Sequence, residues 1–310
     1  MTNQKTAPIV LFVYNRPDHT RRTIEALQKN HLASESDIFI FSDGPKKDSD
    51  SNKVQEVREF IQSIEGFRTV TIKESDINLG LSKSILKGMN TIFNSYERAI
   101  ILEDDLVSNA SFLEFMNKAL ELYEDQKSVY SITGYSYTSG ANKKVNSKTY
   151  FLNLTNSWSW ATWKDRWEQF YPFETDWSIL KNNKKIRKRF NFEGSYNFYK
   201  IILKQSRGEV DSWAIRWYLY VFMNNGLTLY PNTSLINNIG LDGSGTHCGI
   251  SRNYGQLTNE DGFAINFFPE NVSEDPIIRK EVVKQIKRKN VRKIFSLFSK
   301  DGFKYILKKF

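Results

Sequence analysis

Cysteine and histidine are scarce in this 310-residue sequence, which contains one cysteine, Cys248, and three histidines. A single cysteine excludes an intrachain disulfide framework and a multi-cysteine zinc site. No apolar run reaches the length of about 18 residues that indicates a membrane-spanning helix. The first residues also lack the cleavage pattern of a secretory signal. We therefore expect a protein without membrane-spanning helices that works in the reducing cytoplasm.

Positive charge is concentrated near one end of the chain. The formal net charge is +9, but residues 278–310 contain twelve Lys or Arg and only two acidic residues, so the rest is close to neutral. Basic helical segments that also carry Phe and Leu bind anionic membrane surfaces. We expect this tail to contact the inner membrane face; the alternative is packing on the body or a homo-oligomer contact. Nucleic acid is not an expected partner, because its binders usually carry basic residues across the folded domain as well.

Short apolar strands alternate with amphipathic helices along the first 135 residues. The predicted strands are Pro8–Tyr14, Asp37–Phe41, Arg68–Ile72, Ala99–Leu102 and Val129–Thr133. This order predicts an α/β fold in which helices flank a mostly parallel, Rossmann-like sheet. Ligands bind such sheets outside the carboxyl ends of the strands. Polar residues follow three of these ends, at Asn15-Arg16, at Asp43-Gly44 and at the acidic triplet 103–105, so we expect a site there.

The acidic triplet consists of Glu103, Asp104 and Asp105 and ends the fourth predicted strand. Adjacent carboxylates repel one another unless a cation or hydrogen-bond donors compensate. Hard oxygen ligands favour Mg²⁺ or Mn²⁺, which proteins often hold with one or two carboxylates together with substrate phosphates. The triplet therefore predicts a divalent-metal site. The alternative is an acidic turn that opens the following helix, where the helix dipole favours anions.

The segments FVYNRP, FSDG, NLGLSKSI and ILEDDL, in this order, resemble the nucleotide-sugar glycosyltransferases of the GT-A fold. The EDD triplet followed by FLEFM is similar to the N-acetylglucosaminyltransferase I group, and also to bacterial family-2-like enzymes that build surface polysaccharides. The resemblance covers about residues 8–250. It implies a metal-dependent, inverting transfer from a UDP-sugar to a glycan or a lipid-linked acceptor.

The same resemblance implies a division of the chain. A GT-A domain would span residues 1–250, with a nucleotide-sugar half at 1–135 and an acceptor half at 136–250. The basic extension would then occupy residues 251–310.

The resemblance also implies roles for single residues at the expected site. Asp105 would bind the Mn²⁺ or Mg²⁺ that bridges the donor phosphates, whereas Glu103 and Asp104 would contact the ribose and the donor sugar. Asp43 would read the uracil ring, and Arg16 would lie near the diphosphate. A cation does offset phosphate charge, and a carboxylate does accept the uracil N–H. The alternative for Asp43 is a plain turn residue, because Asp-Gly favours turns.

Two more candidates lie outside these strand ends. Lys83 comes early in a predicted helix that starts near Gly80; it would approach the donor phosphates, or else be solvated. His247 lies in a Gly-rich segment, where it would complete the metal shell or touch a phosphate, or else be an ordinary loop residue. Cys248 beside it is expected to be unreactive.

The catalytic base is expected far along the chain. An inverting transfer needs a base that takes the proton of the acceptor hydroxyl as it attacks. The resembled enzymes carry this base in a D-x-W context, which favours Asp211 in GEVDSWAIRWY. Partial desolvation beside Trp213 and Trp217 would strengthen it as a base. Two alternatives stay open: Glu209 is the base, or Asp211 only caps the following helix.

All seven tryptophans lie between Trp158 and Trp217. Aromatic faces bury the flat apolar faces of sugars, so tryptophans often line acceptor sites. They also fill cores, and we expect this set to be divided between the two uses.

Two other functions compete with the transferase. A metal-dependent nucleotidyltransferase shares the sheet topology but usually carries a Gly-rich basic loop after the first strand, and YNRPDHTRR contains none. A non-catalytic, membrane-associated nucleotide-sugar-binding protein would need the acidic triplet for structure alone. A dinucleotide oxidoreductase is not expected, because no GxGxxG motif follows a predicted strand.

Overall fold

The computed structural model describes residues 6–138, 149–170, 175–242 and 268–297, so His247 and Cys248 lie outside the described residues. The strands are β1 (Ile9–Val13), β2 (Asp37–Ser42), β3 (Thr69–Glu74), β4 (Arg98–Glu103), β5 (Leu106–Ser108), β6 (Val129–Thr133), β7 (Tyr150–Leu152), β8 (Trp160–Trp163), β9 (Leu227–Tyr230) and β10 (Ile236–Asn238). The helices are α1 (Pro17–Gln28), α2 (Ser51–Gln62), α3 (Leu81–Phe93), α4 (Phe112–Leu122), α5 (Lys164–Phe170), α6 (Ser178–Asn182), α7 (Lys184–Phe190), α8 (Phe198–Ser206), α9 (Trp213–Met223) and α10 (Pro276–Leu297).

A large central sheet has the strand order β3-β2-β1-β4-β8-β6-β9-β7. The strands β3, β2, β1 and β4 are parallel neighbours, as the alternation of strands and helices predicts. Beyond β4 the sheet is mixed, because β8 lies antiparallel between β4 and β6. The predicted α/β fold with a mostly parallel sheet is confirmed, but the sequence did not show this antiparallel insertion.

Helix α3 shows how the helices of the first half are held on the sheet. Its apolar side chains Ile85, Met89 and Ile92 recur at helical spacing and are buried against β1 and β4. Gly88 lets the helix approach closely, because a Cβ there would lie 2.7 Å from the ring of Phe12. The first turn of α3 is therefore fixed beside the carboxyl ends of the parallel strands.

A second, two-stranded sheet begins just after the acidic triplet. Strand β5 pairs antiparallel with β10, with Ser108 opposite Ile236 and Leu106 opposite Asn238. The chain thus turns at residues 104–105 into a strand, and the next helix starts only at Phe112. The alternative that the triplet opens the following helix is therefore wrong. Strand β5 was missed because three residues are too few to show an alternating pattern.

Most of the tryptophans belong to the core. Trp160, Trp163, Trp167, Trp213 and Trp217 are buried, whereas Trp158 and Trp177 are partly exposed. The indole N–H of Trp163 donates to Leu120 O and that of Trp167 donates to Asn90 Oδ1. The tryptophans were expected to be divided between the core and an acceptor surface, but five of the seven are buried in the core.

Helix α10 packs on the body through its first turns. Ile278, Val282 and Ile286 are buried in one apolar cluster with residues of α7, α8 and α9. Arg279 pairs with Glu193 at 3.1 Å and with Glu274 at 2.7 Å. The first half of the basic tail is thus a packed helix with exposed lysines on its outer side. Within the described ranges, no helix combines the length and the apolarity needed to cross a bilayer.

Candidate active site

The carboxyl ends of the parallel strands bring together most of the residues singled out from the sequence. Arg16 follows β1, Asp43 follows β2, and Glu103 is the last residue of β4. The register aligns Phe12 with Glu103 and also with Phe41, so the three strands end at one level. Parallel strands place their carboxyl ends at one edge of the sheet, where ligands bind.

Arg16 joins the two aspartates of the triplet. Its Nε and Nη2 donate to the two oxygens of Asp104, and its Nη1 donates to Asp105 Oδ2 at 2.9 Å. The Asp104 and Asp105 side chains are only 4% and 9% exposed, and Arg16 is 20% exposed. The guanidinium therefore supplies the cation that the repulsion within the triplet requires.

The electrostatics of this cluster follow from burial and charge. Burial raises the pKa of Asp104 to about 6, although the nearby Arg16 opposes the rise. Burial, and then the charges of Asp105 and Asp104, raise the pKa of Glu103 well above its ordinary range. Burial alone would lower the pKa of Arg16, but the two aspartates more than offset this and raise it. The cluster thus strongly favours a positive charge between its carboxylates.

Gly240 closes the cluster from the β10 side. The N–H of Ile239 donates to the backbone oxygen of Asp105 at 2.9 Å. A Cβ on Gly240 would overlap Asp105 Oδ2 and lie 3.0 Å from Arg16 Nη1. Only a residue without a side chain fits here, so the backbone of residues 239–240 forms one wall of the cluster.

The cluster suits a hard divalent cation whose coordination is completed by oxygens of a bound substrate. It already accommodates a cationic guanidinium between Asp104 and Asp105, in a cradle that a Cβ at Gly240 would fill. Such ions are commonly bound by one or two carboxylates together with phosphate oxygens. Among the residues that the structure describes, no group of three or more His, Cys, Asp or Glu side chains forms a complete metal cage. The remaining ligands would therefore come from the substrate or from outside the described residues.

Asp43 is buried and held by four donors. Its Oδ1 accepts from the N–H groups of Gly44 at 3.0 Å and Leu79 at 2.8 Å. Its Oδ2 accepts from Asn78 Nδ2 at 3.1 Å and from Gly80 N–H at 2.9 Å. The side chain is thus tied to residues 78–80, directly before α3.

Asp211 approaches the same helix from the other half of the chain. Arg216 Nη2 donates to Asp211 Oδ1 and also to Ser82 Oγ, the latter at 3.1 Å. Ser82 is the second residue of α3, so the pair Asp211–Arg216 reaches the first turn of that helix. This contact brings the residue singled out as the base towards the strand-end site.

One expectation about Asp211 and one alternative for it are wrong. Its side chain is 54% exposed, so the neighbouring tryptophans do not desolvate it. It does not cap α9 either, because Ser212 is the capping residue and accepts from Ile215 N–H. Glu209 is also exposed and pairs with Arg207 at 2.7 Å.

The other site residues are found as follows. Lys83 lies exposed in the first turn of α3, at the edge of the site. Arg216, Asn78 and Gly240 belong to the site but were not singled out from the sequence. For Asn78 the sequence did contain a signal, because this residue begins the segment NLG directly before a predicted helix. In the structure, Gly80 at the end of that segment has a φ of +77°. For Arg216 and Gly240 no local pattern exists, because their roles arise from contacts with distant segments.

These features define an α/β protein with an arginine-bridged acidic cluster at the carboxyl edge of its parallel strands. The profile of the GNT-I family matches residues 1–199, which is more than half of the sequence. The chain therefore belongs to the GNT-I family. The resemblance to the N-acetylglucosaminyltransferase I group is confirmed.

A curated relative is the alpha-1,3-mannosyl-glycoprotein 2-beta-N-acetylglucosaminyltransferase of Arabidopsis thaliana. It is 22% identical over 209 residues, which are 62% of this chain and 47% of the relative. The match thus spans about half of that relative's length.

Two solved structures are similar at 12% sequence identity. One is the mannosyltransferase PcManGT from Pyrobaculum calidifontis in complex with GDP-Man and Mn²⁺, with a TM-score of 0.37 over 55% of this chain and 48% of that one. The other is S. aureus TarS, with a TM-score of 0.40 over 74% of this chain and 36% of that one.

Proposed function

We propose that this protein is a metal-dependent, inverting glycosyltransferase that moves a sugar from a UDP-sugar to a hydroxyl group of a glycan or lipid-linked acceptor. The observation that carries the proposal is the cluster of Arg16, Asp104 and Asp105 at the carboxyl edge of the sheet. Membership of the GNT-I family supports it. Synthesis of a bacterial surface polysaccharide or glycoconjugate is the role that this activity would serve.

The donor half of the site is built to hold a nucleoside diphosphate. Arg16 would exchange part of its contact with the aspartates for the donor phosphates, because a guanidinium binds both kinds of anion through the same donors. Asp104 and Glu103 would accept hydrogen bonds from ribose and sugar hydroxyls. Lys83 stands exposed nearby and would add positive charge towards the phosphates.

Asp105, with Asp104 beside it, is the residue that would hold Mn²⁺ or Mg²⁺, with His247 as a further ligand from the sequence. The bound ion would offset the charge that develops on the departing diphosphate. The protein itself would keep the two carboxylates in position. The pairing of β5 with β10 and the close approach of Gly240 to Asp105 support this role.

Asp211 would take the proton from the acceptor hydroxyl. Its exposure allows an acceptor to reach it from solvent, and Arg216 fixes the carboxylate relative to α3. A hydroxyl held in line with the donor's anomeric carbon would then attack as the proton passes to Asp211.

The tail would keep the enzyme near a lipid-linked acceptor. The described part of α10 exposes lysines on its outer side, and the following residues add further positive charge. Each Lys or Arg near an anionic surface contributes about 1 kcal/mol of binding. We therefore expect a cytoplasmic protein at the inner membrane face.

The donor site is tested by a screen of UDP-sugars with Mn²⁺, in which UDP release and UDP binding are measured. We expect Asp105→Asn to lose Mn²⁺-dependent UDP binding while it still folds, because Arg16 keeps its pair with Asp104. Asp125→Asn is the matched control, because that aspartate is exposed just after α4. Unchanged UDP binding in Asp105→Asn would overturn the metal assignment.

The base is tested by comparing Asp211→Asn with Glu209→Gln. We expect Asp211→Asn to lower kcat by about 10²-fold or more, with UDP binding unchanged, because general-base catalysis contributes about 10²–10⁴-fold. Glu209→Gln should keep its activity. The reverse result would assign the base to Glu209, and full binding without transfer to any acceptor would favour a non-catalytic protein.

A further inference from the structure

Asp43 is the residue whose contacts depart most from its expected use. A carboxylate has about four lone-pair positions, two on each oxygen. In this protein two donors occupy each oxygen: Gly44 and Leu79 on Oδ1, Asn78 and Gly80 on Oδ2. The residue is also only 8% exposed. No acceptor position is left for the N–H of a nucleobase.

The four donors come from two segments that the sheet brings side by side. Gly44 follows β2, while residues 78–80 connect β3 with α3. Asn78 Nδ2 also donates to the backbone oxygen of Gly44 at 2.8 Å. A Cβ on Gly44 would lie 2.6 Å from the backbone carbon of Ile77, so the two segments are in direct contact. Asp43 and Gly44 therefore clamp the segment that enters α3.

The clamped segment leads directly to the site. Gly80 precedes α3 with φ of +77°, and two residues later Ser82 receives the hydrogen bond of Arg216. Asp43 thus holds the residues just before α3, and the Asp211–Arg216 pair contacts the first turn of the helix at Ser82. Any movement of residues 78–80 would shift the helix end that faces the strand-end site.

We propose that Asp43 is a positioning residue, which fixes residues 78–80 and the start of α3 as a wall of the nucleotide pocket instead of reading the base. This proposal rests on the proposed function as far as the nucleotide is concerned. Base recognition would then come from other groups. Substitution of Asp43 would therefore weaken the binding of every nucleotide that contacts this wall by the same factor.

The experiment compares Asp43→Asn and Asn78→Ala with the wild type, by measuring the affinities for UDP and CDP with Mn²⁺ at low temperature. Asp43→Asn places an amide N–H₂ against existing donors. Asn78→Ala keeps the carboxylate but removes one of its four donors, together with the bond from that donor to the Gly44 backbone oxygen. We expect each variant to weaken both nucleotides by the same factor, about tenfold, as expected for breaking hydrogen bonds to a buried charged group. Uracil and cytosine differ at N3, which is a donor in one and an acceptor in the other, so the UDP:CDP ratio reports base reading.

Asp37→Asn is the matched control. Asp37 is a buried carboxylate at the first residue of β2, at the opposite end of that strand from Asp43, and it pairs with Arg68. This variant should lower the thermal midpoint without changing either affinity. A loss of UDP affinity alone in Asp43→Asn, with a collapse of the UDP:CDP ratio, would overturn the proposal in favour of base reading. A lower midpoint with both affinities intact would overturn it in favour of a purely structural role.

Amide hydrogen exchange separates this proposal from the proposed function. The N–H groups of Leu79 and Gly80 should exchange faster in Asp43→Asn and Asn78→Ala, and at the wild-type rate in Asp37→Asn. Unchanged exchange in the first two variants would refute the clamp. A wild type that binds neither UDP nor CDP would refute the donor assignment, while the exchange rates would still decide whether the clamp exists.

Discussion

At the scale of single residues, Arg16 is the centre of the site, because it pairs with two buried carboxylates at once. A guanidinium and a divalent ion would use the same oxygens of Asp104 and Asp105. We therefore expect the guanidinium and a divalent ion to compete for this cluster.

This competition predicts the behaviour of Arg16→Gln. Without metal, the variant should lose about 3 kcal/mol of unfolding free energy, because a buried ion pair is broken and its carboxylates stay uncompensated. Mn²⁺ should restore much of this loss, and should stabilise the variant more than the wild type. Thermal unfolding with EDTA and with Mn²⁺ measures both effects. Arg22→Gln, on the exposed side of α1, is the control; an equal Mn²⁺ effect in Arg16→Gln and the wild type would contradict the competition.

A second prediction concerns Asp37 and acid stability. Hydrogen bonds from Arg68, and then from Thr69 and Tyr96, lower the pKa of Asp37 to about 2 against the opposing effect of burial. The folded pKa lies below the unfolded value of about 3.9, so the ionised carboxylate stabilises the fold by about 2 kcal/mol at neutral pH. This contribution should be lost as the pH falls from about 4 to about 2. Urea unfolding of the wild type and of Asp37→Asn across that range checks it: the variant should be less stable at pH 7 and less sensitive to acid.

The residues at the strand ends were open to prediction from sequence because they follow recognisable strands. Arg16, Asp43 and the acidic triplet each come directly after an apolar run, and parallel strands bring such positions together. The partners of these residues were not predictable. Arg216 acts through a hydrogen bond to Ser82, which lies more than a hundred residues away, and one sequence contains no signal for such a contact.

At the scale of elements, the short pairing of β5 with β10 determines the shape of the acidic turn. This pairing holds Asp104 and Asp105 in the short turn between β4 and β5, and it places Gly240 against Asp105. The sequence predicted a helix soon after the triplet, since a three-residue strand has too little pattern to be recognised. The metal-site hypothesis was based on three acidic residues at the end of a predicted strand, and it did not depend on the presence of β5.

Gly240→Ala tests this wall. The added methyl group would overlap Asp105 Oδ2, so either the aspartate or the backbone of residues 239–240 must move. We expect Mn²⁺-dependent UDP binding to fall by at least about tenfold, while unfolding free energy changes by about 1–3 kcal/mol, typical of overpacking. Isothermal titration with UDP and Mn²⁺ measures the loss. Gly208→Ala, at an exposed position with no atoms near its Cβ site, should bind normally even if its positive φ costs stability.

At the scale of the whole molecule, the basic tail has two parts with different surroundings. Its first part buries Ile278, Val282 and Ile286 in the body, as expected for a packed helix. Its exposed side carries Lys280 and Lys284, and residues 289–310 continue the positive charge in sequence. Packing and membrane contact were alternatives for this tail, and the described part shows the packing.

Two truncated chains test whether the packed first part of the tail and residues 289–310 have different roles. A chain of residues 1–288 keeps the buried contacts and should unfold at the wild-type midpoint, whereas a chain of residues 1–275 should lose several kcal/mol because three buried aliphatic side chains are removed. Flotation with vesicles containing anionic lipid should be strong for the full chain and much weaker for residues 1–288, since most of the tail's charge is gone. Neutral vesicles are the control. Equal flotation of both chains would place the membrane contact elsewhere.

The hydrogen bond from Ile239 to Asp105 has a consequence for biosynthesis. On the ribosome, the strand that delivers the triplet emerges long before the segment that supports it. Contacts this distant in sequence form late, because closing a long loop costs entropy before any contact compensates. A nascent chain would therefore expose an incomplete acidic turn, and the ability to retain a donor would arise only once translation has passed residue 240.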